Sequence, residues 1–200
     1  MKLMGGNEMR NRIITISREF GSGGRTIGRR TAEKLGIPCY DAELIQKIAD
    51  ESGFAPEYIK EAGEYAGSGW LAPFLANRSM GPTNQDQLWT IQRQIIINLA
   101  EKGPCVIVGR CADYILKDRT DCLNVFIHAD MEFRAKRIVS EYGEREEKPE
   151  QRLKEKDKRR TAYYRFYTDT KWGQAQNYHI SLDSGKIGIE RCVDILVELY

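Results

Sequence analysis

The sequence predicts an α/β domain of three layers, α/β/α, built around a central parallel sheet. Short β-branched or continuously apolar runs alternate four or five times with amphipathic stretches at helical spacing, without an internal repeat, which is the pattern of parallel strands joined by crossover helices. Cys105-Val106-Ile107-Val108 is apolar at every position, as a strand covered on both faces must be. The 200 residues, 41% hydrophobic and 30% charged, suit a single domain of ordinary core size.

The elements follow in order. Arg12 to Ser17 reads as the first strand and runs into the cluster Gly21-Ser22-Gly23-Gly24. From Thr26 to Leu35, Ile27, Arg30, Thr31, Lys34 and Leu35 recur at helical spacing until Gly36 and Pro38 stop the pattern. Pro38 to Asp41 is briefly extended, and Ala42 to Ser52 carries Leu44, Ile45 and Ile48 on one helical face. Gly63 to Thr83 scatters glycine and proline among Trp70, Leu71, Phe74 and Leu75, and reads as a mobile loop or short helices rather than a linker. Asp86 to Lys102 is helical, with Leu88, Ile91, Ile95 and Leu99 on one face and Gly103-Pro104 as its end. Strands are expected at Cys105 to Val108, Leu123 to Ile127 and Tyr178 to Leu182, and helices at Met131 to Tyr142 and Ile189 to Leu199. The densely charged stretch from Glu144 to Arg165 reads as a solvated helix, and Asp183-Ser184-Gly185 as a turn.

Composition narrows the function. No stretch approaches the ~18 unbroken apolar residues of a membrane span, and Met1 to Asn11 lacks the apolar run of a signal peptide, so a cytoplasmic protein without a membrane partner is expected. His128 and His179 are the only histidines, too few for a His-rich zinc site. Cys39, Cys105, Cys111, Cys122 and Cys192 contain no C-x-x-C pair and read as reduced, buried thiols. The balance of 31 basic against 29 acidic side chains argues against a nucleic-acid partner. That balance hides two basic islands, with seven basic and two acidic residues in 1–30 and twelve and seven in 134–165.

The first island contains the clearest chemical signal. Gly21-Ser22-Gly23-Gly24-Arg25-Thr26 follows a strand and opens a helix, where glycines let backbone N–H groups approach phosphate oxygens and the helix N-terminus adds partial positive charge. Arg25 would neutralise phosphate charge, and the Thr26 hydroxyl would reach a magnesium ion. A full G-x-x-x-x-G-K-[ST] ending on Thr26 calls for glycine at 19 and lysine at 25, where this chain has Glu19 and Arg25. A glycine-rich turn without a ligand is the competing reading.

The stretch Ile14 to Gly28, with Tyr40-Asp41, Val108-Gly109-Arg110-Cys111-Ala112-Asp113 and Leu182-Asp183-Ser184, resembles the cytidylate kinase-like family, a divergent branch of the nucleoside monophosphate kinases, from Ile13 to Leu199. The resemblance implies a P-loop kinase fold in one domain over 1–200, with an acceptor-binding insertion at about 41–88 and a lid at about 134–165. The family's loop, G-x-x-G-S-G-K-G-T, aligns without gaps so that Gly21-Ser22-Gly23 fall on G-S-G, Gly24 on the lysine and Thr26 on the threonine. The missing charge then comes from Arg25 reaching back or from Arg18.

The resemblance further implies acceptor contacts from Asp41, Lys47, Arg110, Asp157 and Arg160. Lys47 stands where the family has a phosphate-binding arginine, and Val108 and Cys111 replace the two acids flanking Arg110, with Asp113 as the nearest substitute. Arg134 and Arg137, one turn apart, would act on the transferring group, and Arg145, Lys148 and Arg152 would belong to the lid. The function implied is magnesium-dependent transfer of the ATP γ-phosphoryl group to a nucleoside monophosphate, CMP or dCMP foremost. A nucleotide-binding sensor or partner-binding protein without kinase activity, and a kinase for another small phosphate acceptor, are the alternatives. The sequence leaves the oligomeric state open.

Overall fold

The computed structural model describes residues 12–41 and 84–200. Its five strands are β1 (Ile13–Arg18), β2 (Cys39–Tyr40), β3 (Cys105–Val108), β4 (Cys122–His128) and β5 (Ile180–Asp183). They pair in the order β2-β3-β1-β4-β5, every pairing parallel. The helices among the described residues are α1 (Gly24–Leu35), α2 (Asn84–Lys102), α3 (Ala112–Ile115), α4 (Met131–Tyr142), α5 (Pro149–Thr168), α6 (Ser184–Ile187) and α7 (Ile189–Glu198), with a 3-10 turn at Ala175–Asn177.

Alternation along the strands builds the three layers. Ile14 and Ile16 face one side of the sheet and pack with Ile27 of α1 and Val193 and Leu196 of α7. Ile13 and Ile107 face the other side, against Ile95, Ile96 and Leu99 of α2 and Ile115 of α3. A polar pair is buried in the sheet as well: Thr15 Oγ1 donates to Asn124 Oδ1 at 2.6 Å, tying β1 to β4. His179 continues this tie, its Nδ1 accepting from Asn124 N at 3.0 Å. All five cysteines are free thiols, and all but Cys39 are buried.

Because the sheet is parallel, the chain leaves every strand at the same edge, and the strand order reverses at β1. That edge is where ligands bind in open α/β sheets, and the elements following β1, β3, β4 and β5 converge there.

The structure changes several boundaries. α1 begins at Gly24, two residues before the expected start, because Gly23 at φ 81° caps it. The charged stretch is not one helix from Glu144 to Arg165. α4 ends at Tyr142, as expected, residues 143–148 form a connection, and α5 starts at Pro149, whose fixed φ and missing N–H suit the first helical position. The stretch Asp183-Ser184-Gly185 opens α6 rather than forming a plain turn, since Asp183 Oδ1 accepts from the N–H groups of Gly185 and Lys186. The helix expected over 42–52 and the loop over 63–83 lie outside the described residues. Among the described residues no helix is long and apolar enough to cross a membrane.

Replacing Asn124 by Ala leaves the buried Thr15 hydroxyl without its acceptor. Urea unfolding is expected to show a loss of about 1–3 kcal/mol, partly restored by adding Thr15→Val, which removes the orphaned group.

Candidate active site

Residues 19–23 connect β1 to α1, and their shape is dictated from both sides. Glu19 N donates to Ile127 O at 3.0 Å, and Ser184 Oγ donates to Ser22 O at 2.5 Å and His128 O at 3.0 Å, so the loop is fixed to the ends of β4 and β5. Gly21 lies at φ 79°, and a Cβ there would meet Arg134 O and Leu153 Cδ2 at 3.0 Å; the loop backbone is pressed directly onto α4 and α5. Ile27 N donates to Gly23 O at 2.9 Å, leaving the first amides of α1 directed into the crevice.

Arg134 organises the opposite wall. It is buried at 6% exposure, with Nε 3.4 Å from Glu19 Oε2 and Nη1 2.5 Å from Asp157 Oδ2 and 3.3 Å from Phe20 O. Both carboxylates accept from backbone as well: Phe20 N donates to Asp157 Oδ1 at 2.7 Å, and Ala129 N to Glu19 Oε2 at 3.2 Å. Arg134 and Asp157 therefore hold the loop in place, each already partnered by protein.

The other expected donor-side residues divide by direction. Arg25 is ion-paired with Asp41, on the β2 side of the crevice. Arg137 lies on the α4 side, where its Nη2 donates to Thr26 Oγ1 at 2.7 Å and its Nη1 is 3.0 Å from Glu141. Arg134 Nε, Arg137 Nε and Arg152 Nη1 are buried without a hydrogen-bond partner among the described residues, the Arg134–Glu19 approach being an ion pair only. Arg145 and Lys148 lie on the connection between α4 and α5.

A pocket opens at the ends of β1 and β3, lined by Arg18, Phe20, Asp41, Arg110, Lys156, Arg159, Arg160, Tyr163 and Trp172 among others. Five cations face one acid in that set. The Arg110 backbone is left-handed at φ 59°, followed by Cys111 at 55°, an uncommon pair that turns the Arg110 side chain toward the pocket. Arg160 Nη1 donates to Arg18 O at 2.9 Å, and its guanidinium lies 5.4 Å from the Phe20 ring centre. Lys47 lies outside the described residues.

Lys156, Arg159, Arg160, Tyr163 and Tyr164 are spaced i, i+3, i+4, i+7 and i+8 on α5, so one helix face supplies one side of the wall. Lys156, Phe20 and Trp172 were not anticipated from the sequence. The signal was that charged and aromatic stripe, which a search for an apolar stripe passes over.

Asp113 is buried at 4% exposure behind this wall, accepting from Tyr164 OH at 2.7 Å and from Ser17 Oγ at 3.4 Å. Burial raises its carboxyl above the ordinary aspartate value, against the opposing effect of these hydrogen bonds. Burial likewise pushes the Cys111 thiol well above the usual range, which disfavours its thiolate. Among the described residues no cluster of three acids, histidines or cysteines could hold a metal. The residue expected to reach a magnesium ion, Thr26, has its hydroxyl accepting from Arg137 Nη2 at 2.7 Å, and would have to give up that contact to hold one.

The sequence model of the cytidylate kinase-like family matches residues 13–186. A protein called cytidylate kinase from Archaeoglobus fulgidus is 29% identical over 191 residues, covering 92% of each chain. Among solved structures, an uncharacterized protein from Eubacterium ventriosum has a TM-score of 0.71 at 29% identity, covering 93% of this chain and 96% of its own. Shikimate kinase from Acinetobacter baumannii, at 17% identity and a TM-score of 0.53, covers 94% and 92% and shares the fold.

Two outcomes test these roles. Arg134→Ala leaves Glu19 and Asp157 facing each other without their cation, and chemical denaturation is expected to show a loss of at least about 2 kcal/mol, discounted for the partial exposure of both acids. For Asp113, the folded value stands above the unfolded one of 3.8, so the unfolded chain ionises first as pH rises. Stability should fall as pH rises from that value through the raised folded value, and Asp113→Asn should flatten this decline. Identical slopes for the two proteins would refute the buried-carboxyl assignment.

Proposed function

Because the chain belongs to the cytidylate kinase-like family, we propose that it transfers the γ-phosphoryl group of ATP to a nucleoside monophosphate, CMP or dCMP foremost. Family and fold together support a phosphotransferase of the nucleotide-kinase type. The observation that carries the finer reading is the pocket beside the phosphate loop, where Arg18, Arg110, Lys156, Arg159 and Arg160 line the wall with Phe20, Tyr163 and Trp172. A monophosphate needs such cations, and a pyrimidine ring suits aromatic walls.

The reaction joins an acceptor phosphate oxygen to the γ-phosphorus and breaks its bond to the bridging oxygen of ADP. Little covalent help is required, and the protein contributes position and charge. The α1 amides and Thr26 face the donor phosphates. Magnesium bound with ATP neutralises charge on those phosphates. Arg110 holds the acceptor phosphate as a bidentate fork, and Arg159 and Arg160 add charge from α5. The α4–α5 pair, with Arg145 and Lys148 at its tip, covers the crevice and keeps water from taking the phosphoryl group.

A second reading, transfer to another small phosphate-bearing acceptor, is favoured by Val108 and Cys111, which stand where the family's acids contact the nucleotide. The cationic pocket suits either acceptor.

ADP release with CMP as acceptor tests the proposal. CMP-dependent release is expected, with Arg110→Ala raising the acceptor KM about tenfold to a hundredfold while the melting temperature holds. Release with a different phosphate ester and none with CMP supports the second reading. ATP binding without release to any acceptor would contradict both and leave a nucleotide-binding protein.

A further inference from the structure

Arg18 closes β1 and Gly24 opens α1, and the two meet across the loop. A Cβ built on Gly24 lies 2.5 Å from Arg18 Cβ and 2.9 Å from Arg18 Cγ. Both Cβ positions are set by the backbone, so no side-chain rotation relieves the overlap. With the loop in this shape, only one of positions 18 and 24 can carry a side chain.

In G-x-x-x-x-G-K the first glycine and the lysine are six residues apart, and the lysine reaches the β- and γ-phosphates. Positions 18, 23 and 24 read Arg, Gly and Gly here. The side chain has therefore crossed from one partner of this contact to the other. Its destination is visible too. A Cβ on Gly109, at the end of β3, would overlap Arg18 Nη1 and lie 2.9 Å from Arg18 Cζ. The Arg18 stem thus passes over Gly24, and its guanidinium rests on the Gly109 backbone, between the N-terminus of α1 and the pocket it lines with Arg110. Two glycines on separate elements make room for one arginine. Arg25, the neighbouring cation, turns instead to Asp41.

We propose that Arg18 takes the place of the phosphate-loop lysine, its guanidinium contacting the terminal phosphate of the triphosphate donor. This rests on the kinase reading of the same site. A guanidinium offers two parallel N–H donors where an ammonium offers a point charge, and set between loop and pocket it can grip the phosphoryl group from donor to acceptor.

Calorimetric titration of the full chain with ATP and ADP, in the presence of magnesium, tests the assignment. Arg18→Met keeps the stem between the two glycines and removes the charge. It should weaken ATP binding about tenfold or more and ADP binding less than about threefold, as loss of a charge-assisted contact to the terminal phosphate requires. The double variant Arg18→Gly with Gly24→Lys returns the side chain to the other partner and should bind ATP within about threefold of the parent protein. Gly24→Lys alone should lower the melting temperature, because it places two side chains in one space. ATP affinity unchanged in Arg18→Met, or a double variant that binds no better than Arg18→Gly, would overturn the role of Arg18. If the parent protein binds ATP and transfers to no acceptor, the kinase reading fails while the contact between Arg18 and the donor is still decided by the Met variant. A parent protein that binds no ATP overturns both.

Discussion

One buried guanidinium sets the geometry on which the crevice depends. Arg134 joins Glu19 and Asp157, two acids far apart in sequence, and touches the Phe20 carbonyl between β1 and α1. A charge buried this deeply is tolerable only when its partners are satisfied, and both acids also accept loop or strand-end amides. The result is a closed circuit through the phosphate loop, the end of β4, α4 and α5. The loop is consequently formed before any ligand arrives, which is the condition for donors to act without reorganisation. The circuit also fastens the roots of α4 and α5 to the loop.

This circuit accounts for the many basic residues that accompany so small a net charge. Seven basic residues lie in 1–30 and twelve in 134–165, against a formal total of +2. Part of that charge is committed to protein: Arg134 to its two acids, Arg25 to Asp41, Arg137 to Thr26 and Glu141. Other cations, Lys156, Arg159 and Arg160 on α5 with Arg18 and Arg110 at the ends of β1 and β3, line the pocket. The committed cations fix shape, and the pocket cations give the crevice its field.

Much of the fold was legible in the sequence because burial imposes periodicity. Ile14 and Ile16 against Ile13 and Ile107 read as alternation, and the continuous run at β3 read as a strand covered on both faces. The turn between β1 and α1 was legible because a glycine cluster there interrupts one periodicity and precedes another. The end of α4 at Tyr142 was legible, whereas the start of α5 was expected at Glu144 rather than Pro149 because charge density conceals helix ends, although Pro149 marks this one. The partners of Arg134 could not be read from sequence, since Glu19 and Asp157 meet it only through tertiary packing. The same holds for Gly24 and Gly109. Each looks like an ordinary loop glycine until the path of Arg18 shows what the missing side chains leave room for.

The central claim is that phosphate binds at the Gly21 to Gly24 loop, with the charge supplied by Arg18 rather than Arg25. A crystal structure with magnesium and a non-hydrolysable ATP analogue tests it most directly. The expected result is β- and γ-phosphates over the first amides of α1, with the Arg18 guanidinium in hydrogen-bond contact with the γ-phosphate and Arg25 still paired with Asp41. A nucleotide bound elsewhere, or a γ-phosphate held by Arg25 with Arg18 turned away, would contradict it.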